Sequence, residues 1–119
     1  MKTVLVVDDS GFMRNLIKKH ISTLDVEVVG EAENGKVAVE KYIELKPDII
    51  TLDLAMHEHG GLEALIEIRK IDPDAKVVIV CSIAGRSAVL EEVKKQGVHA
   101  IINKPLQDNE LADAIKELL

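Results

Sequence analysis

Two of the short apolar runs in this 119-residue chain close on acidic side chains. "TVLVVDD" (3–9) ends in Asp8 and Asp9, and "DIITLD" (48–53) ends in Asp53. Two further runs end in a hydroxyl and an ammonium: "AKVVIVCS" (75–82) in Ser82, and "AIINK" (100–104) in Lys104, which Pro105 follows. If folding brings these ends together, three carboxylates share one crevice. Like charges so placed raise each other's pKa unless a cation joins them. A hard divalent ion with oxygen ligands meets that need. Mg2+ suits it best, because it takes few carboxylates and completes its shell with phosphate oxygens and water; Mn2+ or Ca2+ could substitute. Lys104 and Ser82 add a positive charge and a hydroxyl, a set suited to stabilising a phosphoryl group during transfer. An aspartate can itself accept that group, giving an acyl phosphate. Taken singly, a strand-end Asp or Ser more often caps the next helix. An acid pair, a lone Asp, a Ser and a Lys-Pro at corresponding ends of four runs favour a shared site over four separate caps.

The elements that must position these residues are legible in the hydropathy pattern. The four runs above, with "VEVVGEA" (26–32), are short and rich in β-branched residues, as expected of strands buried on both faces of a parallel sheet; the 26–32 run is the least apolar. Helix-period segments separate them. Phe12, Leu16, Ile17, His20, Ile21 and Leu24 mark the first, and Val39, Tyr42 and Ile43 the second, with Asn34 as its N-cap and Pro47 beyond its end. Leu62, Leu65, Ile66 and Ile68 mark the third, closed by Asp72-Pro73; Val89, Leu90 and Val93 mark the fourth, with Gly97 as its stop. Leu111, Ile115, Leu118 and Leu119 mark the last. Five βα units in succession predict an α/β domain with helices on both faces of a parallel sheet and right-handed crossovers. The pattern alone leaves the strand order open. No linker, repeat or low-complexity tract interrupts it, so one domain over residues 1–119 is expected.

Composition narrows the class. Apolar residues are 47% and charged residues 30% of the chain, and the only aromatics are Phe12 and Tyr42, so the core must be aliphatic. A net charge of −6 with no Lys/Arg run argues against a nucleic-acid-binding module. The lone cysteine, Cys81, cannot form an internal disulfide, and Met1-Lys2 lead straight into an apolar run without a signal-peptide layout. No apolar stretch approaches the ~20 residues needed to cross a bilayer. A cytoplasmic protein is expected.

The stretch "LDLAMHEHGGLEAL" (52–65) carries a rival reading, since His57-Glu58-His59 suggests a metal-ligand cluster. The two histidines lack the i, i+4 spacing that puts both rings on one helix face. Closed zinc sites generally need four ligands, and His20, Cys81 and His99 lie elsewhere in the chain. Solvated loop histidines behind Asp53 are the favoured reading. Cys81 reads as a small buried hydrophobe.

With those residues in view, the chain resembles the response-regulator receiver family, and within it the stand-alone chemotaxis regulators of the CheY type. The carriers are "VLVVDDSGFMR", "GEAENGKVAVEKYIELKPDIITLD", "VVIVCS" and "NKPL", in order from residue 3 to the C-terminus. The resemblance implies a flavodoxin-like doubly wound (βα)5 fold with strand order 2-1-3-4-5, an order this family itself exemplifies. It implies that Asp53 is the phosphoryl acceptor. Mg2+ would then be bound by Asp9, Asp53 and the Ala55 backbone carbonyl, with Asp8 helping through water. Ser82 would sense the phosphoryl group and Lys104 would pair with it, and the Lys104-Pro105 bond would be cis, which costs little before proline. The donor would be a phosphohistidine on a sensor histidine kinase, and the output a conformational shift read by a downstream protein. The protein would catalyse its own phosphorylation and slow hydrolysis while serving as a switch and not an enzyme, as a monomer or weak dimer.

Four positions depart from the family's pattern. His57 stands where proline is usual, Gly60 where Asn or Asp often precedes the glycine, and Ile83 where a small residue follows the switch hydroxyl. Ile101 replaces the aromatic whose inward and outward positions usually report phosphorylation. A second class of function therefore stands beside the partner-binding switch: a phosphotransfer intermediate or phosphate sink. A constitutive interaction module is less favoured, because Asp8, Asp9, Asp53, Ser82 and Lys104 are all present.

Overall fold

The β-branched runs form five strands and the helix-period segments form five helices, in strict alternation: β1 (Lys2–Val7), α1 (Gly11–Ile21), β2 (Val26–Ala32), α2 (Gly35–Leu45), β3 (Ile49–Leu52), α3 (Gly61–Ile71), β4 (Lys76–Cys81), α4 (Ser87–Gln96), β5 (Ala100–Asn103) and α5 (Glu110–Lys116). The computed structural model describes residues 1–55, 60–82 and 87–119. His57, Glu58 and His59, on which the rival metal reading rested, and Ile83 lie outside the described residues.

All five strands pair in parallel, in the order β2-β1-β3-β4-β5. The flavodoxin-like doubly wound expectation holds. The chain runs outward from β1 to β2, then returns across β1 to reach β3. The direction of winding therefore reverses between β1 and β3, which opens a crevice at their carboxyl ends.

Side-chain alternation along the strands divides the core in two. Leu5, Val7, Ile50, Leu52, Val77, Ile79 and Cys81 face Ala38 and Tyr42 of α2, Ala64, Leu65 and Ile68 of α3, and Val93 of α4. Val4, Val6, Ile49, Val78, Val80 and Ile102 face Ile17 and Ile21 of α1 and Leu111, Ala114 and Ile115 of α5. The weaker apolar character of the 26–32 run has a simple cause: β2 is an edge strand, and only Ala32 within it is buried.

Caps place the helix starts. Ser10 Oγ accepts from the Met13 N–H at 3.2 Å, and Asn34 Oδ1 accepts from the Val37 N–H at 2.9 Å, the cap expected for α2. Lys46 closes α2 in the left-handed region (φ 46°), just before Pro47. Gly97 closes α4 at φ 80°, a conformation glycine adopts without strain. Tyr42, almost fully buried, donates its hydroxyl to Asp72 Oδ2 at 2.8 Å and so ties α2 to the end of α3.

Some expectations need correcting. The acidic tails assigned to the first and third runs lie beyond the strands, which end at Val7 and Leu52. The last helix holds the expected Leu111 and Ile115 in the core, with Ala112 and Ala114 beside them, but stops at Lys116, short of Leu118 and Leu119. Ile43 fell on the apolar stripe of α2 but is 53% exposed, while Ala38 and Tyr42 of that helix are buried; Phe12, at the start of α1, is 75% exposed.

The α2 cap gives a direct check. Asn34→Ala should lower unfolding stability by about 1 kcal/mol and Asn34→Asp by much less, as read from urea midpoints at unchanged m-value.

Candidate functional site

Strand register brings the carboxylates together. Val7 lies opposite Leu52, so the residues that follow, Asp8 and Asp53, leave the sheet side by side. The Asp53 N–H still donates to the Val7 carbonyl at 3.1 Å, and the Asp8 N–H to the Ala32 carbonyl at 3.0 Å. Asp8 is fully buried, Asp53 is 2% exposed and Asp9 is exposed. One carboxylate oxygen from each of the three lies within 4.8 Å of the others.

Lys104 arrives from the end of β5. Its backbone N–H donates to the Cys81 carbonyl at 2.9 Å, and the Lys104-Pro105 peptide is cis as expected. The ammonium donates to Asp8 Oδ2 at 2.9 Å and to Asp53 Oδ2 at 3.4 Å. The other oxygens take backbone donors: Asp8 Oδ1 from the Ser10 N–H at 3.0 Å, and Asp53 Oδ1 from the Ala55 N–H at 3.0 Å. Ala55, singled out for its carbonyl, thus also orients Asp53 through its N–H. Ser82 follows β4 directly, on the exposed side of the same edge.

The electrostatics are unbalanced. Burial pushes the Asp8 carboxyl up; hydrogen bonds from Ser10 and Lys104 oppose this without cancelling it, and the Asp53 charge adds to the rise. Burial alone would pull the Lys104 ammonium down, but the Asp8 hydrogen bond and the Asp53 and Asp8 charges outweigh it and leave it raised. One ammonium cannot neutralise three carboxylates. Among the described residues this is the group of acidic, His or Cys side chains placed to hold a metal, and it offers oxygen alone. An oxygen-only, charge-rich donor set with no imidazole or thiolate fits a hard divalent cation such as Mg2+, Mn2+ or Ca2+ and not a soft metal that prefers nitrogen or sulfur ligands.

Two contributors escaped the sequence reading. Gly61 opens α3 directly against the strand end: a Cβ there would collide with the Asp53 carbonyl oxygen and come within 2.6 Å of Leu54 Cα. Its neighbour Gly60 has open space around it and an ordinary φ of −63°. Arg14 is the second, with Nη1 donating to the Asp8 carbonyl at 2.7 Å. The run of glycines at 60–61 marked a turn without showing which of the two is sterically required. Nothing local to Arg14 marks its contact six residues back.

The chain and its architecture have close counterparts. Residues 4–116 match the response regulator receiver domain family. The chain is 49% identical to a chemotaxis protein CheY of Thermotoga maritima over 117 residues, covering 98% of this chain and 97% of the relative. It is 42% identical to the chemotaxis protein CheY of Bacillus subtilis over 116 residues, covering 98% and 96%. Among solved structures, the CheX-CheY-BeF3-Mg complex from Borrelia burgdorferi superposes with a TM-score of 0.90 at 26% identity, covering 98% of this chain and 88% of that one.

Two outcomes follow from the geometry. Gly61→Ala should destabilise the fold by about 1–3 kcal/mol, an overpacking cost, while Gly60→Ala should be nearly neutral, as measured by urea unfolding. Asp8→Asn should stabilise the metal-free protein at neutral pH. The sign follows from the raised Asp8 carboxyl: its folded form holds a proton more readily than its unfolded form, so its contribution is favourable at low pH and is lost as pH rises through the folded pKa. The advantage of the variant should therefore narrow as pH falls toward the ordinary carboxylate range, and a constant advantage down to that range would contradict the assignment.

Proposed function

The chain belongs to the response regulator receiver family, in its chemotaxis CheY type, and on that premise we propose that Asp53 takes a phosphoryl group from a phosphohistidine on a sensor histidine kinase. The observation that carries this reading is the position of Asp53: almost wholly buried at the winding reversal, with two acidic neighbours within 4.8 Å and an ammonium at 3.4 Å. Receivers of this type are phospho-acceptors of two-component signalling. The Ala55 N–H and the Lys104 ammonium each engage one oxygen of Asp53, so the carboxylate presents a fixed direction to an incoming phosphorus atom. As an Asp53 oxygen bonds to phosphorus, the bond from phosphorus to the donor imidazole nitrogen breaks, and the histidine regains its neutral ring.

Asp9, Asp53 and the Ala55 carbonyl, with Asp8 through water, are the groups that would hold Mg2+. That ion, when bound, neutralises the carboxylates and the transferring oxygens. The oxygen-only cluster supports this, as does the presence of Mg and BeF3 in the Borrelia CheX-CheY complex. Lys104 is held by Asp8 and Asp53 in this structure. It can therefore move onto the phosphoryl oxygens by changing partner, without crossing the site. Ser82, at the next strand end, supplies the hydroxyl that registers the group. The output is a shift between conformations that a downstream protein distinguishes, in the manner of a switch and not of an enzyme releasing product. The described residues contain no helix long and apolar enough to cross a membrane; a cytoplasmic setting, a single receiver domain over residues 1–119 and a monomeric or weakly dimeric state belong to the same reading.

One observation favours a second reading. Ile101 lies partly buried against the core on the α2–α3–α4 side, in a position where the family's usual aromatic would change place. With no ring to swing, transfer chemistry with little conformational readout, as a phosphotransfer intermediate or phosphate sink, is the competing role.

Acetyl phosphate or the cognate kinase, with Mg2+, should label the protein; Asp53→Asn and removal of divalent ions by EDTA should each abolish the label. Undiminished labelling of the Asp53→Asn variant would exclude Asp53 as acceptor. Comparing the affinity of a captured partner with and without BeF3 separates the two roles, since a sink shows little difference.

A further inference from the structure

Glu31, next to last in β2, is gripped from three directions. Arg14 Nε donates to its Oε1 at 3.0 Å, Lys18 Nζ to its Oε2 at 2.8 Å, and Lys41 Nζ to its backbone carbonyl at 2.6 Å. The Lys18 hydrogen bond, with that of Arg14 behind it, holds the Glu31 carboxyl below its ordinary range although partial burial opposes this. Glu31 is thus a fixed, charged anchor at the edge of the sheet.

The other prong of the Arg14 fork reaches the acidic site, where Nη1 donates to the Asp8 carbonyl at 2.7 Å. The β1–β2 ladder cannot supply a donor there. Asp8 still gives its N–H to Ala32, but β2 ends at Ala32 and Asn34 has turned to cap α2. The carbonyl in question belongs to the peptide that joins Asp8 to Asp9. Because that peptide is planar, fixing its oxygen fixes the directions in which both residues leave it. A guanidinium holds two acceptors in one rigid plane, which the single point charge of a lysine cannot do.

Building on the proposed receiver function, we propose that Arg14, anchored by Glu31, is a positioning residue that locks the Asp8–Asp9 peptide so that both carboxylates face Asp53 before a cation arrives. Charge alone predicts the opposite effect. A guanidinium beside an acidic cluster repels a divalent cation, so deleting it would tighten binding. A positioning role predicts that deletion weakens binding in spite of the positive charge removed. Lost outer partners of metal ligands typically cost 10–100-fold in affinity.

The test is Mg2+ alone, titrated calorimetrically at constant ionic strength into the parent protein and into Arg14→Ala, Arg14→Lys, Glu31→Gln and, as a control for the site, Asp9→Asn. Arg14→Ala and Arg14→Lys should both weaken Mg2+ binding about tenfold, and Glu31→Gln should weaken it by less. Arg14→Lys keeps the charge, so its loss cannot be electrostatic. Thermal unfolding checks that each variant is folded, and if Arg14→Ala is not, Arg14→Lys and Glu31→Gln decide the matter. Equal or tighter binding by Arg14→Ala, or parental affinity in Arg14→Lys, overturns the positioning role; parental affinity in Glu31→Gln overturns the anchoring. Failure of the parent itself to bind Mg2+ removes the receiver reading and this inference with it, whereas normal parental binding with unchanged Arg14 variants removes this inference alone.

Discussion

Repulsion among Asp8, Asp9 and Asp53 is the constraint around which the rest of the molecule is arranged. Their oxygens lie within 4.8 Å of one another, and two of the three side chains are out of solvent. Like charges held this closely repel unless other groups offset them. Lys104 offsets part of the charge with one contact at 2.9 Å and a weaker one at 3.4 Å. Backbone N–H groups of Ser10 and Ala55 offset more, because they are dipoles fixed by the loops that carry them. The remaining negative charge is what a bound cation would neutralise. Stability is given up locally so that binding has something to neutralise.

Such a cluster persists only because its supports are over-determined. Asp8 and Asp53 project from two adjacent central strands that are buried over Val4–Val7 and Ile49–Leu52, so neither can drift without disturbing the aliphatic core on both faces. The α3 helix begins so close to the Asp53 backbone that only glycine fits at position 61. From the other side, Arg14 and Glu31 brace the peptide between Asp8 and Asp9 against α1 and the edge of β2. Rigid packing beneath the acids and a hydrogen-bonded frame beside them are complementary. The first fixes where the carboxylates start, and the second fixes the way they point.

The chemical half of the site and its readout half are unequally conventional. Asp8, Asp9, Asp53 and Lys104 converge as the family's pattern implies. Ile101 departs from it with an aliphatic side chain packed against the core. A branched aliphatic group has no large rotation between a buried and an exposed state comparable to that of an aromatic ring.

Much of this was legible in the residues themselves. Alternation of β-branched runs with helix-period segments determined the five βα units, because strand and helix periods differ and short apolar runs bounded by turns admit few other structures. Clustering of Asp8, Asp9, Asp53, Ser82 and Lys104 at run ends marked the site, since parallel strands must all deliver their carboxyl ends to one edge. Element boundaries were less legible: the acids end strands without belonging to them, and alanines such as Ala38 and Ala64 make core contacts that hydropathy underrates. What tertiary structure alone decided were contacts set by close approach between distant segments. The ion pair of Arg14 with Glu31 spans 17 positions and that of Lys104 with Asp8 spans 96, and no local periodicity encodes either. Gly61 and Gly60 are identical letters side by side. Only the packing of α3 against the end of β3 makes one of them indispensable and the other free.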